Sequence, residues 1–358
     1  MNSEIKITPV EKSRIGELDF NNIPFGKVFS DHMFVADYDG RQWKNMEICA
    51  LEKIPFHPAT MAWHYGQAIF EGMKAGINDE GIPLLYRPHK HAKRLNISAS
   101  RMCMPEFPVD IFVDALKELV WMDRSWIPTD EESALYIRPV MMATDEFVGV
   151  RSSDNFKLMI MNLPSGPYYN KPVGLYVADK YVRAAEGGVG YAKAAGNYGA
   201  SLYPTKLAKE KGYDQVMWMD AKEFKYVQEV GTMNIFFVLK DRILTPDLTG
   251  TILDGVTRDS VIQILREKGH VVEEKHVSIE EIAIAHSKGD LLEVFGTGTA
   301  AVIAHVDRIG YKEKDMKLDP MNWDLSKMLK AEINGIRKGR VVDSHNWVVP
   351  VKQGVAAL

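Results

Sequence analysis

The chain has 358 residues, a formal net charge of −4, 46% hydrophobic residues and 26% charged residues. This length exceeds what one ordinary core organises, so we predict two domains of about 150 to 200 residues and a cleft between them. The composition is typical of a soluble globular protein and excludes a disordered chain. The mildly acidic balance, without a basic block, argues against nucleic acid or an anionic membrane as partner and favours small molecules.

Cysteine content and the N-terminus indicate a cytoplasmic protein. Cys49 and Cys103 are the two cysteines of the chain, and their spacing forms neither a metal motif nor a redox pair. Charges interrupt the N-terminus where a secretory signal needs an apolar run, and no stretch approaches the ~20 apolar residues of a membrane span. His89 and His91, set among Lys and Arg, are expected on a solvated face, and we predict no metal site.

Periodicity in the first half predicts a hairpin and two helices. Phe29 to Tyr38 and Trp43 to Ile54 alternate around turn residues, which is typical of a β-hairpin. Pro108 to Trp121 repeats its apolar residues at the 3.6 period behind an initial proline, which predicts a helix. His89 to Met102 predicts a second helix, and Arg94 lies on it.

A strand and a proline-rich segment end the first half. In the strand predicted from Ala134 to Met142, alternate side chains share a face, so Tyr136 and Arg138 point the same way. Pro164 to Pro172 then gathers three prolines and a glycine between strand-like runs, which favours a domain boundary. We therefore predict a small N-terminal domain over 1–165, a linker over 166–180 and a large domain over 181–358.

The second half alternates strands with helices. The predicted strands are Val173 to Val182, Gln215 to Met219 and Ile235 to Leu239, and the predicted helices are Tyr203 to Lys211, Val256 to Lys268 and Leu325 to Lys338. Glu229 precedes the most apolar of these strands, so a carboxylate stands beside a buried run.

Two places in this half suit a phosphate. The helix from Val256 begins with unpaired N–H groups and the positive end of the helix dipole, and the Thr257 hydroxyl lies beside them. Gly296-Thr-Gly-Thr299 follows a strand and predicts a turn with exposed N–H groups and two hydroxyls. Because the sequence contains no GxxxxGK[ST], and no GxGxxG between strand and helix, a nucleoside triphosphate or a dinucleotide is not the expected occupant.

One lysine stands alone in a run of small residues. Gly187 to Ser201 surrounds Lys193 with glycine and alanine, which let a flat ligand approach the backbone closely. A lysine that has no neighbouring carboxylate and little contact with water favours its neutral amine form. A neutral amine can attack a carbonyl to form a Schiff base. The pattern indicates pyridoxal phosphate chemistry, which also needs a phosphate site and a partner for the pyridine nitrogen. A solvated surface lysine is the alternative.

Five motifs, in chain order, resemble one known family. They are Phe70-Glu-Gly-Met-Lys-Ala75, Tyr136-Ile-Arg-Pro139, Gly187-Gly-Val-Gly-Tyr-Ala-Lys-Ala-Ala-Gly-Asn-Tyr198, Glu229-Val-Gly-Thr-Met-Asn234 and Phe295-Gly-Thr-Gly-Thr-Ala300. From about Phe34 to Trp347 the chain resembles the branched-chain amino acid aminotransferases, which are fold-type IV pyridoxal phosphate enzymes. The resemblance implies an α+β fold of two domains: a smaller N-terminal α/β domain and a larger C-terminal domain with a β-barrel-like sheet. It also implies that the cofactor, pyridoxal 5′-phosphate, lies in the interdomain cleft.

The resemblance also assigns roles to matching positions. Lys193 would be the Schiff-base lysine and the base that moves the substrate Cα proton. Glu229 would keep the pyridine nitrogen protonated, which draws electrons from the carbanion. The other cofactor contacts would be Tyr198 at the phenolic oxygen, Thr232 in the Glu229 motif, and Arg94, Val256, Thr257 and Thr299 at the phosphate.

The substrate side would be apolar and aromatic. Its lining positions match Phe70, Tyr65, Tyr136 and Tyr168, while Arg138 would bind the second carboxylate of glutamate or 2-oxoglutarate and the N–H groups near Thr299 and Ala300 would meet the α-carboxylate. The implied reaction is reversible amino-group transfer between L-leucine, L-isoleucine or L-valine and 2-oxoglutarate. The segment of Tyr65 reaches the neighbouring subunit's site in this family, so a homodimer is implied.

Two alternatives stay open. Another fold-type IV enzyme, such as a D-amino acid aminotransferase or an aminodeoxychorismate lyase, would share Lys193 and Glu229, although the Tyr136 and Phe70 motifs argue against it. A pyridoxal-binding protein without turnover is the second alternative. Some family members carry a CxxC pair after the Gly-Thr-Ala turn; this chain does not, so thiol regulation there is not expected. The preferred amino acid among the three does not follow from the sequence.

Overall fold

The computed structural model describes residues 5–352, and this range contains seven α-helices and nineteen strands. The helices are α1 (Met61–Tyr65), α2 (Pro88–Arg101), α3 (Val109–Met122), α4 (Ala195–Glu210), α5 (Val256–Glu267), α6 (Ile279–Ser287) and α7 (Leu325–Arg337). The strands are β1 (Lys6–Ile7), β2 (His32–Tyr38), β3 (Trp43–Ala50), β4 (Ala68–Phe70), β5 (Met73–Ile77), β6 (Pro83–Tyr86), β7 (Ala134–Ala143), β8 (Phe156–Ser165), β9 (Val173–Val177), β10 (Gln215–Met219), β11 (Tyr226–Val230), β12 (Asn234–Leu239), β13 (Ile243–Pro246), β14 (Val272–Lys275), β15 (Val277–Ser278), β16 (Leu291–Gly298), β17 (Val302–Tyr311), β18 (Lys314–Lys317) and β19 (Val348–Pro350). Over the same range, no helix combines the length and the apolar character that crossing a membrane requires.

The chain divides into two compact units. The first holds the chain up to Tyr168, residues 192–195 and the chain from Asn334 onward; the second holds residues 169–191 and 196–333. The unit that begins the chain is thus the longer one, whereas the sequence predicted a smaller N-terminal domain. The reason is a pairing between distant segments: β19 is antiparallel to β6, with Val348 opposite Tyr86, and periodicity carries no information about such a contact.

A nine-stranded sheet is the base of the first unit. Its strand order is β1-β3-β2-β8-β7-β5-β6-β19, and β4 pairs with β7. The predicted hairpin is confirmed, since β2 and β3 are antiparallel with Tyr38 opposite Trp43. The two predicted helices are also confirmed: α2 and α3 pack together, and α3 covers β2, β3 and β6 with a buried face that includes Phe112 and Leu116.

A ten-stranded mixed sheet forms the second unit. Its order is β14-β13-β12-β16-β17-β9-β10-β11-β15, and β18 pairs with β17. β11 also contacts β12 and β13, so the sheet curls back on itself, as the expected barrel-like sheet requires. Its core contains Trp218 and Phe237, and Glu229 on β11 lies opposite Trp218.

Three local predictions differ from the structure. α4 begins at Ala195 instead of Tyr203, although glycine costs about 1 kcal/mol in a helix interior and Pro204 removes a backbone donor. Tertiary contacts outweigh these costs, because Pro204 and Ala208 are buried. The stretch Gly187 to Ser201 therefore includes the first turns of α4. In addition, β9 ends at Val177, and β16 continues to Gly298, so the predicted turn begins at Thr299.

Candidate active site

Lys193 is held through its backbone by two elements of the first unit. Its N–H donates to the hydroxyl of Ser98 on α2 at 2.9 Å, and its carbonyl accepts from the N–H of Phe70 on β4 at 3.1 Å. The next residue, Ala194, forms an isolated antiparallel bridge with Ile69. Lys193 Nζ lies 4.8 Å from the centroid of the Phe70 ring. A helix and a strand therefore fix the backbone at Lys193.

A buried ionic cluster lies directly after Phe70 in the sequence. Glu71 accepts from Arg94 through both oxygens, with Nε to Oε1 at 2.7 Å and Nη2 to Oε2 at 2.9 Å. His91 Nδ1 lies 2.9 Å from Oε2. The expectation of a solvated face was wrong for His91, which is 2% exposed. His91, Arg94 and Ser98 recur along one face of α2, which buries them together.

The charges of this cluster determine its hydrogen bonds. Burial by itself would raise the pKa of the Glu71 carboxyl, but the charge and hydrogen bonds of Arg94, with His91, hold that pKa well below its ordinary value. Burial lowers the pKa of His91, against the opposing effect of Glu71. Glu71 is therefore ionised and His91 neutral at pH 7. Since a carboxylate only accepts, the proton of His91 is on Nδ1.

Tyr136, Arg138 and Phe70 form a wall of aromatic and basic side chains in the first unit. The Arg138 guanidinium lies 4.9 Å from the centroid of the Phe70 ring, and its Nη2 donates to the Tyr136 hydroxyl at 3.1 Å. This confirms the shared face predicted for Tyr136 and Arg138. Arg138 Nε is buried and has no hydrogen-bond partner within residues 5–352. A Cβ at Gly72 would overlap the Tyr136 hydroxyl, so this close approach requires glycine.

Phe25 joins this wall, and the sequence did not single it out. Its ring stands edge-on to Tyr136 at 5.4 Å and to Tyr168 at 5.1 Å. Burial raises the pKa of Tyr168, and Tyr136 adds to the effect. Phe25 lies in an irregular segment without periodicity, so no pattern pointed to it. Tyr65, at the end of α1, is 40% exposed and its ring contacts His64.

In the second unit, a buried carboxylate is held from three sides. Glu229 Oε2 lies 2.7 Å from Arg183 Nη1, and Oε1 accepts from Asn234 Nδ2 at 3.1 Å and from the Leu253 N–H at 3.2 Å. Arg183, which the sequence reasoning missed, also donates to the carbonyls of Gly190 and Thr251. It thereby connects the Glu229 carboxylate to the segment that leads toward Lys193.

The other predicted residues of the second unit lie at element ends. α5 begins behind Gly255, which supplies no side-chain cap to the first-turn N–H groups. Val256 and Thr257 follow in that first turn and are buried. The remaining positions are Tyr198 in the first turn of α4, exposed Thr232 in the turn between β11 and β12, and half-buried Thr299 and Ala300 in the turn between β16 and β17.

Comparison with known proteins identifies the class. Residues 68–309 match the amino-transferase class IV family. The chain is 46% identical over 339 residues to branched-chain-amino-acid transaminase 1 of Bacillus subtilis, covering 93% of this chain and 95% of that protein. The chain therefore belongs to the class IV aminotransferases.

Solved structures of the same class have the same fold. A branched-chain aminotransferase from Thermoproteus uzoniensis with norvaline is 26% identical, with a TM-score of 0.75 over 90% of this chain and 100% of that one. The PLP form of the branched-chain amino acid aminotransferase from Thermobaculum terrenum is also 26% identical, with a TM-score of 0.73 over 91% of this chain and 99% of that one. These similarities agree with the two-domain fold-type IV architecture expected from the motifs.

Proposed function

We propose that this enzyme is a pyridoxal 5′-phosphate-dependent branched-chain amino acid transaminase. It transfers the amino group reversibly between L-leucine, L-isoleucine or L-valine and 2-oxoglutarate. The observation that carries the proposal is the first unit's combination of a backbone-anchored lysine, Lys193, with an aromatic wall and the Arg138 guanidinium. An amine, an apolar surface and a carboxylate partner are what this pair of substrates requires. The 46% identity to a B. subtilis branched-chain transaminase supports the same substrates.

The donors present suit the cofactor. Pyridoxal phosphate carries a phosphate dianion, and the first-turn N–H groups of α5, the Thr257 hydroxyl and the Arg94 guanidinium are all phosphate donors by chemistry. Glu229 is a buried carboxylate, which suits a protonated pyridine nitrogen. We assign Tyr198, Thr232, Val256 and Thr299 to the same cofactor site.

The residues assigned to the substrate make two kinds of contact, apolar and ionic. Phe70, Tyr136 and Tyr168 provide apolar surface for a branched side chain, and we assign Tyr65 to the same lining. The buried Nε of Arg138, which has no partner within residues 5–352, would be satisfied by the second carboxylate of glutamate. When leucine replaces glutamate, the Tyr136 hydroxyl still accepts from Arg138. The α-carboxylate is assigned to the N–H groups near Thr299 and Ala300.

The proposed chemistry divides between the cofactor and the chain. The cofactor supplies an electron-withdrawing ring that stabilises negative charge at the substrate Cα. Lys193 Nζ takes the proton from that Cα, and its anchored backbone limits where the amine can reach. Glu229 holds the proton at the ring nitrogen. Arg183 and Asn234 orient this carboxylate through the contacts described above.

We also propose that the enzyme is a homodimer. Five exposed apolar residues lie in two short segments of the first unit: Trp63, Tyr65, Phe147, Val148 and Val150. The Phe147 N–H donates to the Ala59 carbonyl, which joins the segment before α1 to the β7–β8 connection. Such a patch favours a second copy as partner. Val148→Asp should give monomers in light scattering, whereas Val342→Asp, at an exposed site outside the patch, should leave the dimer intact.

We further propose that the enzyme is cytoplasmic. Cys49 and Cys103 are both free thiols, which suits a reducing compartment. Fractionation of the native cell would test this assignment, and recovery of the enzyme with secreted proteins would contradict it.

A coupled assay tests the activity. The enzyme loaded with pyridoxal phosphate should form glutamate from L-leucine and 2-oxoglutarate, and Lys193→Ala should abolish this while the phosphate donors still bind the cofactor. Initial rates on leucine, isoleucine and valine would rank the substrates. Absence of glutamate with all three, or turnover with D-alanine instead, would overturn the proposal.

A further inference from the structure

The direction of the Arg94 guanidinium is set by Glu71. The two bonds, from Nε to Oε1 at 2.7 Å and from Nη2 to Oε2 at 2.9 Å, form a bidentate pair. Such a pair fixes the plane of the guanidinium as well as its position. A guanidinium has five N–H donors, and this pair uses two. The directions of the other three, on Nη1 and Nη2, therefore follow from the position of the Glu71 carboxylate.

The carboxylate is itself fixed. The His91 Nδ1–H donates to Oε2 at 2.9 Å, and the Gly72 N–H donates to the same oxygen at 3.2 Å. Glu71 is fully buried, and its own N–H donates to the carbonyl of Pro139. Because Glu71 is fully buried, rotation of its carboxylate would break at least one charge-assisted bond without access to bulk solvent.

We propose that Glu71, supported by His91, is a positioning residue that directs Arg94 toward the cofactor phosphate. This inference rests on the proposed function, in which Arg94 binds that phosphate. A role in orientation and a purely electrostatic effect of Glu71 predict opposite changes in phosphate binding. Glu71 neutralises the charge of Arg94, so charge alone predicts that removing the carboxylate would strengthen phosphate binding. If orientation dominates, removing it weakens binding, because an unpaired buried guanidinium turns toward any other acceptor.

Lys193 offers an internal reference for the test. Its backbone is anchored by the Ser98 hydroxyl and the Phe70 N–H. Binding of pyridoxal, which has the aldehyde but no phosphate, reports on Lys193 and the ring contacts. Binding of pyridoxal phosphate reports on these and on Arg94. The ratio of the two affinities therefore isolates the phosphate contribution.

The experiment measures dissociation constants of both ligands for the cofactor-free, full-length protein by quenching of tryptophan fluorescence. Glu71→Gln should weaken pyridoxal phosphate by about 10- to 100-fold, the range typical when an outer-shell partner is lost, and leave pyridoxal almost unchanged. Inorganic phosphate, added as competitor, should lose affinity in parallel. Glu71→Asp keeps the charge but shortens the reach and should recover only part of the loss.

Glu293→Gln is the matched control. Glu293 is also a buried carboxylate with three donors, the N–H groups of Asp324, Leu325 and Ser326 at 2.9 to 3.0 Å, but these begin α7. Glu293→Gln should lower thermal stability without changing the ratio of the affinities for pyridoxal phosphate and pyridoxal. His91→Gln keeps the Glu71–Arg94 pair, so it should weaken pyridoxal phosphate binding in the same way but by less. If Glu71→Gln does not fold, His91→Gln takes its place in the experiment.

Three results separate the outcomes. Unchanged or tighter binding of pyridoxal phosphate by Glu71→Gln would overturn the inference in favour of the charge argument. Equal losses for pyridoxal phosphate and pyridoxal would also overturn it, because they indicate a general structural defect. Wild-type protein that fails to bind pyridoxal phosphate or to form glutamate would instead contradict the proposed function.

Discussion

Arg183 Nη1 lies 2.7 Å from Oε2 of Glu229, and both side chains are buried. The two residues are far apart in sequence, and the pair combines a carboxylate that the motifs identified with a guanidinium that they did not. A buried carboxylate with a bonded cation has a fixed direction and a balanced charge. The assigned role of Glu229 at the pyridine nitrogen therefore depends on Arg183.

Substitutions at this pair should act on chemistry more than on cofactor retention. Glu229→Gln should lower the single-turnover rate of Cα proton removal more than it weakens cofactor binding. Arg183→Gln should also lower this rate, by about 10- to 100-fold, because the Glu229 carboxylate loses its orienting partner. Stopped-flow absorbance gives the rate, and equilibrium dialysis gives the cofactor affinity. Arg266→Gln, at an exposed ion pair, is the control. Equal losses in rate and affinity would argue against the electronic role.

Gly190 should not tolerate a side chain. A Cβ there would overlap the Thr251 carbonyl oxygen and lie 2.6 Å from Cβ of Ala184. We expect Gly190→Ala to reduce the free energy of unfolding by about 1 to 3 kcal/mol, the usual cost of overpacking, measured by urea denaturation. Gly199→Ala has open space in α4 and should be neutral or stabilising by up to about 1 kcal/mol. A stable Gly190→Ala would show that the contact with Thr251 yields easily.

Phe25→Ala should impair recognition of apolar substrates. Phe25 has edge contacts with Tyr136 and Tyr168, each worth about 0.5 to 1.5 kcal/mol, so both rings lose support. We expect KM for L-leucine to rise by about 10-fold, from about 1.4 kcal/mol of lost interaction, with little change in cofactor affinity. Phe20→Ala, at another partly exposed aromatic of the same segment, serves as control. Unchanged KM would remove Phe25 from the pocket.

His91 should make stability depend on pH. Its pKa is lowered in the folded protein, so below the unfolded value of about 6.5 the unfolded chain binds the extra proton. The free energy of unfolding is therefore complete above that pH and falls as the pH decreases toward the folded pKa, by at most about 1.4 kcal/mol per pH unit for one proton. Thermal melts should show a flatter profile for His91→Gln. His89→Gln, exposed on the same helix, should keep the wild-type slope.

Arg337 is a buried cation whose removal should stabilise the fold. It is 2% exposed, and its Nε and Nη2 have no hydrogen-bond partner within residues 5–352. Burial lowers the pKa of Arg337 to about 10. Arg337→Met should therefore raise the free energy of unfolding by about 1 to 2 kcal/mol in urea denaturation. Arg340→Met, which removes an exposed pair with Asp79, should change it by less than about 0.5 kcal/mol. Destabilisation by Arg337→Met would show that packing of the Arg337 side chain stabilises the fold by more than the burial of its charge costs.

The sequence by itself determined what depends on local order. The 3.6 period placed α3 and α5 within one or two residues of their observed bounds, and strand alternation put Tyr136 and Arg138 on one face. The motif around Lys193 and the order of the five motifs indicated the family that the comparisons confirmed. These features are properties of neighbouring residues, so they are visible in the chain.

Only the tertiary structure decided which distant residues meet. Glu71 with His91, Glu229 with Arg183, and Phe25 with Tyr136 are separated by at least twenty residues, and no periodic pattern records such pairs. Packing also reversed local preferences: it buried His91 despite its basic neighbours and continued α4 through Gly199 and Pro204. Burial and long-range hydrogen bonds outweigh helix-propensity costs, which are about 1 kcal/mol or less for most residues and about 3 kcal/mol for proline.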